Sequence, residues 1–425
     1  MRRAITILIS LAVLVTLFLV IVNSSRYRKY AAGEWHEEER TSDAMQALDF
    51  WTRSRAYPDK NIPPNKYYRA YQMARAKHRE LSSVLTAGSI WSPIGPTNLH
   101  GRALSVAMNP LNPNTVYVGT ASGGLWRSYS GGLSGDWLQI KLGYPALGIT
   151  AVVIDPTDTN VIFLGTGEVY GYQAANGGMV IRTMRGSYGI GILRTTDGGQ
   201  TWTKSLDWSY NNQTGVEAMK MNPLNHNTIW AATTEGLYKT IDGGATWDAM
   251  DISGLNMVED IVINSQDTAQ VLVSIGDFNP SGCMILRTMD AGISWSPSTF
   301  EKHHWYTGKM LLESYAAHPN VVYASAADDV VDYGALYRST DFGTSWTKLY
   351  SPTNLYQVQG WYSHFVAVHP ADSSKIVYAS VNTIRSTNGG RTFSSSGGGY
   401  GGGNYADNHG YAHHPTNPNI LYIVN

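Results

Sequence analysis

The sequence predicts an all-β protein, a β-propeller of four-stranded blades, and three observations carry that prediction. A short motif of the form Thr-x-Asp-Gly-Gly-x-Thr-Trp returns along the chain at near-constant spacing. Each interval between copies holds short strand-like stretches separated by Gly, Asn and Pro turns. Apolar residues make up 43% of the 425 residues and charged ones 15%, which fits a large packed core rather than a solvated chain.

The copies run from Thr195 to Trp202, Thr240 to Trp247, Thr288 to Trp295, Ser339 to Trp346 and, more weakly, Ser386 to Phe393. Their Asp or Asn positions, 197, 242, 290, 341 and 388, step by 45, 48, 51 and 47. A degenerate earlier copy, Ser128-Tyr-Ser130-Gly-Gly, ends at Trp137. Within one period, 217–222 alternates as a strand, 223–227 supplies turn residues, and 228–232 and 236–240 read as second and third strands. The motif then turns the chain into a fourth strand, and four antiparallel strands per about 45 residues describe a propeller blade. The expected count is six complete blades plus a partial seventh, made of 409–415 and 420–424. The chain stops where a turn and third strand would follow, so a C-terminally truncated sequence is expected; residues 90–95 resemble a fourth strand able to close the ring.

Physical chemistry explains the motif. An Asp carboxylate accepts hydrogen bonds from the amides of its own turn. The Gly residues relieve positions that need positive φ. The terminal aromatic is long and flat enough to pack between sheets. Asp197 with Trp202, Asp242 with Trp247, Asp290 with Trp295, Asp341 with Trp346 and Asn388 with Phe393 are therefore read as structural.

Residues 1–25 read as a signal peptide or membrane anchor: Arg2 and Arg3 precede an apolar run from Ala4 to Val22. A cleaved signal and a single-span anchor both remain open, and either makes the rest secreted, periplasmic or cell-surface. Residues 26–88 read as a helical pre-segment, with Tyr67, Tyr71, Ala74 and Leu81 on one face, and 89–425 as the propeller. A formal net charge of -1 carries no basic footprint, so nucleic acid is not an expected partner. One cysteine, Cys283, rules out an intrachain disulfide.

With these residues the chain resembles the Asp-box (BNR) repeat superfamily, shared by sialidases, sortilin-like propellers and xyloglucanase-type glycosidases. It is similar in particular to bacterial secreted, glycosyl-hydrolase-like BNR-repeat proteins. That likeness rests on Trp91-Ser-Pro-Ile-Gly-Pro96, Gly101-Arg102, the stretch from Asn114 to Trp126, Gly165-Thr-Gly-Glu168 and Asp407-x-His409. It covers about residues 90 to 425, and is specific for fold and weak for function.

Propeller geometry puts the short 1→2 turns and the motif hairpins on one plain face and the long 2→3 and inter-blade loops on the other. On the loop-rich face Tyr170, Tyr172, Arg182, Arg185, His304, Trp305, Tyr306, Trp361, Tyr362, His364 and His409 are candidate binding residues, suited to stacking on sugars or gripping peptides. The resemblance implies two carboxylates for a xyloglucanase-type hydrolysis. The stretch matching one of them, Gly119 to Gly124, carries Ala121 where that family has Asp. Glu168 and Asp407 are the remaining weak catalytic candidates. The histidines form no ligand motif, so neither metal nor cofactor is expected. The reading is a non-catalytic propeller that binds a polysaccharide or an extracellular or envelope protein; the alternative is a glycoside hydrolase of xyloglucanase-like architecture.

Overall fold

The computed structural model describes residues 50, 53–59, 63–84, 101–133, 135–174, 180–184, 187–210, 214–252, 257–276, 284–299, 309–327, 334–352, 355–356, 359–396 and 405–425. The apolar run 4–22 and the fourth strand expected at 90–95 lie outside them. Among the described residues no helix is long and apolar enough to cross a membrane. The chain divides into two units, Met1–Lys66 and Tyr67–Asn425. In the first, residues 53–56 are helical and Lys66 pairs with Asp59, Nζ to Oδ2 2.9 Å.

In the second unit, six four-stranded antiparallel sheets follow one another, and a two-stranded sheet follows the sixth. Their first strands are Ala103–Asn109, Ile149–Ile154, Val216–Met221, Val258–Ile263, Met310–Ser314, Phe365–Val368 and Gly410–His413. Each of these packs against the next, and the last packs back against the first, so they form the inner ring of a propeller. The Ala103 amide also donates to the Asn425 carbonyl at 2.9 Å, tying the first strand to the end of the two-stranded blade. Six blades plus a partial seventh is the count expected from the repeats.

Blades meet through closely packed seams. In blades 2 to 5 the second strands are fully buried, as in Ile229–Thr233 and Val271–Ile275. Between blades 1 and 2 the approach is so close that a Cβ on Gly119 would stand 2.4 Å from the Ile149 carbonyl oxygen, and Ser105 Oγ donates to that same oxygen at 2.9 Å. Between blades 4 and 5, Ser274 Oγ donates to Met310 O at 2.7 Å.

At the motif, the turn amides and hydroxyls are met by the motif's own side chains. Asp197 accepts from Thr195 Oγ1, the Gln200 amide and the Thr201 amide at 2.6, 2.9 and 2.9 Å, and Gly198 and Gly199 hold φ of 70° and 90°. The degenerate copy recovers the same chemistry with a displaced carboxylate: Ser128 and Ser130 donate to Asp136 at 2.6 and 2.7 Å.

One segment departs from the sequence reading. The residues around Tyr170 to Arg185, read from sequence as part of the long loops of the loop-rich face, include Val169–Ala174 and Val180–Met184, which pair as an antiparallel hairpin inserted between the second and third strands of blade 2. The two strands are rich in β-branched and aromatic residues, and the sequence between them contains Asn-Gly-Gly, which together make a hairpin pattern. The helix Pro64–Val84 starts with proline at its first turn. Beyond Lys66 its Tyr68 is buried edge-on against Tyr210, ring centroids 5.5 Å apart, under the Lys204 ammonium.

Candidate functional site

The inner ring encloses a channel with a cavity of about 390 Å³. What the channel presents is decided by one backbone irregularity repeated four times. In blades 1 to 4 the first strand carries a bulge against the second, so that Leu104, Thr150, Glu217 and Glu259 are each skipped in the pairing. A bulged residue leaves the strand's in-out alternation and is re-aimed. All four line the channel. Two of the four are glutamates, at the same register of consecutive blades, in Val216-Glu217 and Val258-Glu259.

These two carboxyls sit in unlike surroundings from the third acid at this end, Glu168. The Glu168 carboxylate is 1% exposed and held by both terminal nitrogens of Arg102, Nη2 to Oε2 at 2.8 Å, with the Tyr170 hydroxyl also donating to it. Burial of Arg102 opposes its charge, but the hydrogen bond and field of Glu168 outweigh that and leave the guanidinium more firmly protonated. Tyr170 is pushed well above the usual phenol range, first by burial and then by the Glu168 charge. Glu259, 1% exposed, has no hydrogen bond to either oxygen and only Lys309 nearby, Nζ to Oε2 3.5 Å. Burial pushes it up to about 7 against the pull of Lys309. Glu217 is half-buried, walled by protein but open to the lumen. Burial and then the Glu259 charge drive it well above the carboxylate range. The Glu259 charge thus adds to the proton affinity of Glu217, and the Lys309 ammonium pulls on both carboxyls.

Deeper in the channel Glu313 is also pushed up to about 7 by burial, against the field of Lys220 and a hydrogen bond from Tyr411. Above the lumen an aromatic wall surrounds the Arg102–Glu168 pair. Tyr170 meets Trp361 and Tyr362 edge-on at 5.5 and 5.3 Å, Tyr362 meets the His409 ring at 4.7 Å, and Arg102 lies over Tyr362.

The structure thus gathers five of the residues singled out from sequence, Glu168, Tyr170, Trp361, Tyr362 and His409, at one end of the channel. It alters their character: Tyr170 and Tyr362 are 3% and 2% exposed, so they build the wall rather than offering open stacking faces. His364 is 1% exposed, and burial followed by the Lys309 charge depresses it to about 3, which keeps it neutral. Asp407, at φ 66°, does not line the cavity. Arg185, His304, Trp305 and Tyr306 lie outside the described residues, and for Tyr172 and Arg182 the backbone alone is described, within the inserted hairpin. Ala121 is buried, so no carboxylate stands at that position. Among the described residues no His, Cys, Asp and Glu grouping could hold a metal ion. Sequence reasoning missed Glu217, Glu259, Lys309 and Glu313; the available signal was the recurrence of Val-Glu at one register of two successive repeats.

No protein-family model matches the chain. Among curated proteins it is 22% identical over 397 aligned residues to a xyloglucanase of Paenibacillus sp, covering 67% of this chain and 37% of that protein. It is 22% identical over 278 residues to a xyloglucanase of Hypocrea jecorina (strain QM6a), covering 57% and 31%. The chain therefore spans about a third of the length of the curated relatives it matches. Similar solved structures include the GH74 xyloglucanase from Xanthomonas campestris, at TM-score 0.45 and 17% identity over 68% of this chain and 52% of that one. They also include YCF48 from Cyanidioschyzon merolae, at TM-score 0.49 and 13% identity over 77% and 94%. The likeness to the two curated xyloglucanases favours a glycoside-hydrolase-like propeller.

Proposed function

We propose that this chain is a propeller of the Asp-box kind from a secreted, glycoside-hydrolase-like protein that acts on a polysaccharide of the xyloglucan class. The observation that carries this reading is the similarity to two xyloglucanases, over 67% and 57% of the chain. The geometry adds support. The channel end carries an aromatic wall with one half-buried indole, Trp361, and carboxyls in contrasting surroundings, one held by Arg102 and one, Glu259, pushed up to about 7 by burial, the arrangement that acid–base chemistry at a glycosidic bond draws on. We place polysaccharide contact at Trp361 and His409 on the loop-rich face, and read residues 1–25 as the export signal or anchor, 26–88 as a pre-segment and 89–425 as the propeller.

A second reading, retention of glycan without cleavage, is favoured by two specific observations. Ala121 offers no carboxyl where the resembling family has Asp, and both Glu168 oxygens are engaged by Arg102. The deciding experiment incubates the purified chain with a polysaccharide panel that includes xyloglucan and scores new reducing ends and physical retention separately. Reducing ends that vanish in the Glu259→Gln variant establish hydrolysis by this chain. Retention with no new ends leaves it a glycan-binding propeller, and neither result on any polysaccharide overturns both readings.

A further inference from the structure

The channel holds more than the polysaccharide reading uses. Glu259 lines the lumen and is 1% exposed; its Oε1 has no donor and its Oε2 has the Lys309 ammonium at 3.5 Å. Glu217, its neighbour on the next inner strand, has a buried Oε1 without a donor and also lines the lumen. Buried acceptors left open are exceptions in folded proteins and mark sites where something outside the chain supplies the missing hydrogen bonds. Both side chains reach the lumen only because a bulge recurs at that register, so the backbone of two blades is shaped to point them there.

We propose that the channel is a binding site for one or two units of a neutral sugar, entering from the loop-rich end, with the Glu217–Glu259 pair accepting its hydroxyl hydrogens. The class of ligand follows from charge and from shape. Glu168 is neutralised by Arg102, Glu259 stands beside Lys309, and Glu313 lies in the field of Lys220. Asp260 also lines the lumen, where its carboxylate accepts the Ile261 and Leu312 amides at 2.8 and 3.0 Å. The open oxygens of Glu217 and Glu259 call for O–H donors, which a neutral polyhydroxyl guest supplies. Apolar and aromatic side chains share the lining. Leu104 occupies the equivalent bulge of blade 1, across the ring from Glu259, and Tyr170 and Tyr411 also line the lumen. Carboxyl oxygens and apolar or aromatic faces match the hydroxyl edge and C–H face of a pyranose. The cavity, about 390 Å³, falls at the small end of ligand pockets, enough for a chain end and too narrow for a polysaccharide lying across it. The choice of sugar as ligand rests on the polysaccharide reading; the site itself rests on the channel.

The test uses the full chain and four small probes: cellobiose, methyl β-D-glucoside, glucosamine as a cation and glucuronate as an anion. Binding is followed by saturation-transfer NMR, with polysaccharide retention measured in parallel. The expected result is binding of the two neutral probes, weakened at least tenfold by Leu104→Trp, which fills the lumen, and by Glu217→Leu, which removes the acceptors. Circular dichroism and melting of both variants establish folding, and either one alone suffices if the other fails to fold. Trp361→Ala is expected to weaken polysaccharide retention while leaving cellobiose binding intact. Neutral probes that bind equally to wild type and both folded variants, or probes that do not bind wild type at all, overturn the channel site. Polysaccharide retention persisting in that case keeps the proposed function. Cellobiose binding lost on filling the lumen, with no polysaccharide retained or cut, overturns the proposed function and leaves the channel site standing.

Discussion

The motif aspartates show how much chemistry one residue can commit to a turn. Asp242 takes hydrogens from Thr240 Oγ1, the Ala245 and Thr246 amides and Thr246 Oγ1, at 2.7, 2.9, 2.9 and 2.6 Å. Those donors hold its carboxyl far below the ordinary range, so it stays ionised in any ordinary buffer and has no proton to lend. Blade 6 supplies a natural comparison. Asn388 keeps the acceptor role toward the Thr392 amide at 3.0 Å and turns the second contact round, its Nδ2 donating to Thr392 Oγ1 at 2.7 Å. Asp242→Asn is therefore expected to retain most of the melting temperature, whereas Asp242→Ala, which strands two amides and two hydroxyls, lowers it by roughly a few degrees. Scanning calorimetry of the two variants checks the order; equal losses would show that the carboxylate's charge, not its acceptor geometry, carries the turn. The same comparison explains why these residues could be read from sequence. A turn satisfied by its own side chains needs particular residues at fixed offsets, and such a need leaves a written trace. Glu217 and Glu259 leave a fainter one, because their orientation comes from how two strands pair, which no local pattern spells out.

At the scale of the element, the blade is legible and its couplings are not. Strand order follows from short apolar stretches between turn residues, and even the inserted hairpin of blade 2 has a readable sequence pattern once the Asn-Gly-Gly run between its strands is noticed. What the repeat conceals is the grip of one blade on the next. The residue before each motif Thr or Ser is basic, and in three blades its side chain reaches the neighbouring hairpin. Arg127 donates to Gly198 O at 2.9 Å, Lys239 to Ala291 O at 2.8 Å, and Arg287 to Thr344 Oγ1. Lys239 also lies 4.6 Å above the Trp230 ring, so its stem fills the seam while its charge is met twice. Burial lowers its proton affinity. Lys239→Met keeps the stem and deletes both polar contacts. Urea unfolding is expected to show a loss of about 1 to 2 kcal/mol, with the m-value unchanged. A loss within error would mean that the hydrophobic seam alone holds blades 3 and 4 together.

At the scale of the whole molecule, the outer turns and the inner channel respond to pH in opposite senses, and the stability of the propeller records both. The motif carboxyls of Asp136 and Asp290 are held down to about 2, chiefly by hydroxyl donors, so their contribution is present above the unfolded value near 4 and lost as pH falls toward 2. His364, depressed to about 3 by burial, acts in the same direction: its neutral form is protected, and stability falls as pH drops below the unfolded histidine value. The channel carboxyls work the other way. Glu259 and Glu313 are pushed up to about 7, so the folded chain binds protons that the unfolded chain has already released. Their contribution is complete below about 4.5 and disappears as pH rises through about 7. The sum is a dome, with an acid limb set by the turns and His364 and an alkaline limb set by the channel. Glu259→Gln isolates the second limb. The variant's stability relative to wild type is expected to rise by on the order of 3 kcal/mol between pH 4.5 and 8, because only the wild type must ionise a buried carboxyl. His364→Asn is expected to move in the opposite sense with pH, and only below about 6.5, its stability relative to wild type rising as pH falls. Denaturant unfolding of the three proteins from pH 4 to 8 measures both slopes. A Glu259→Gln curve parallel to wild type throughout would mean that the Glu259 carboxyl titrates as freely as a surface one.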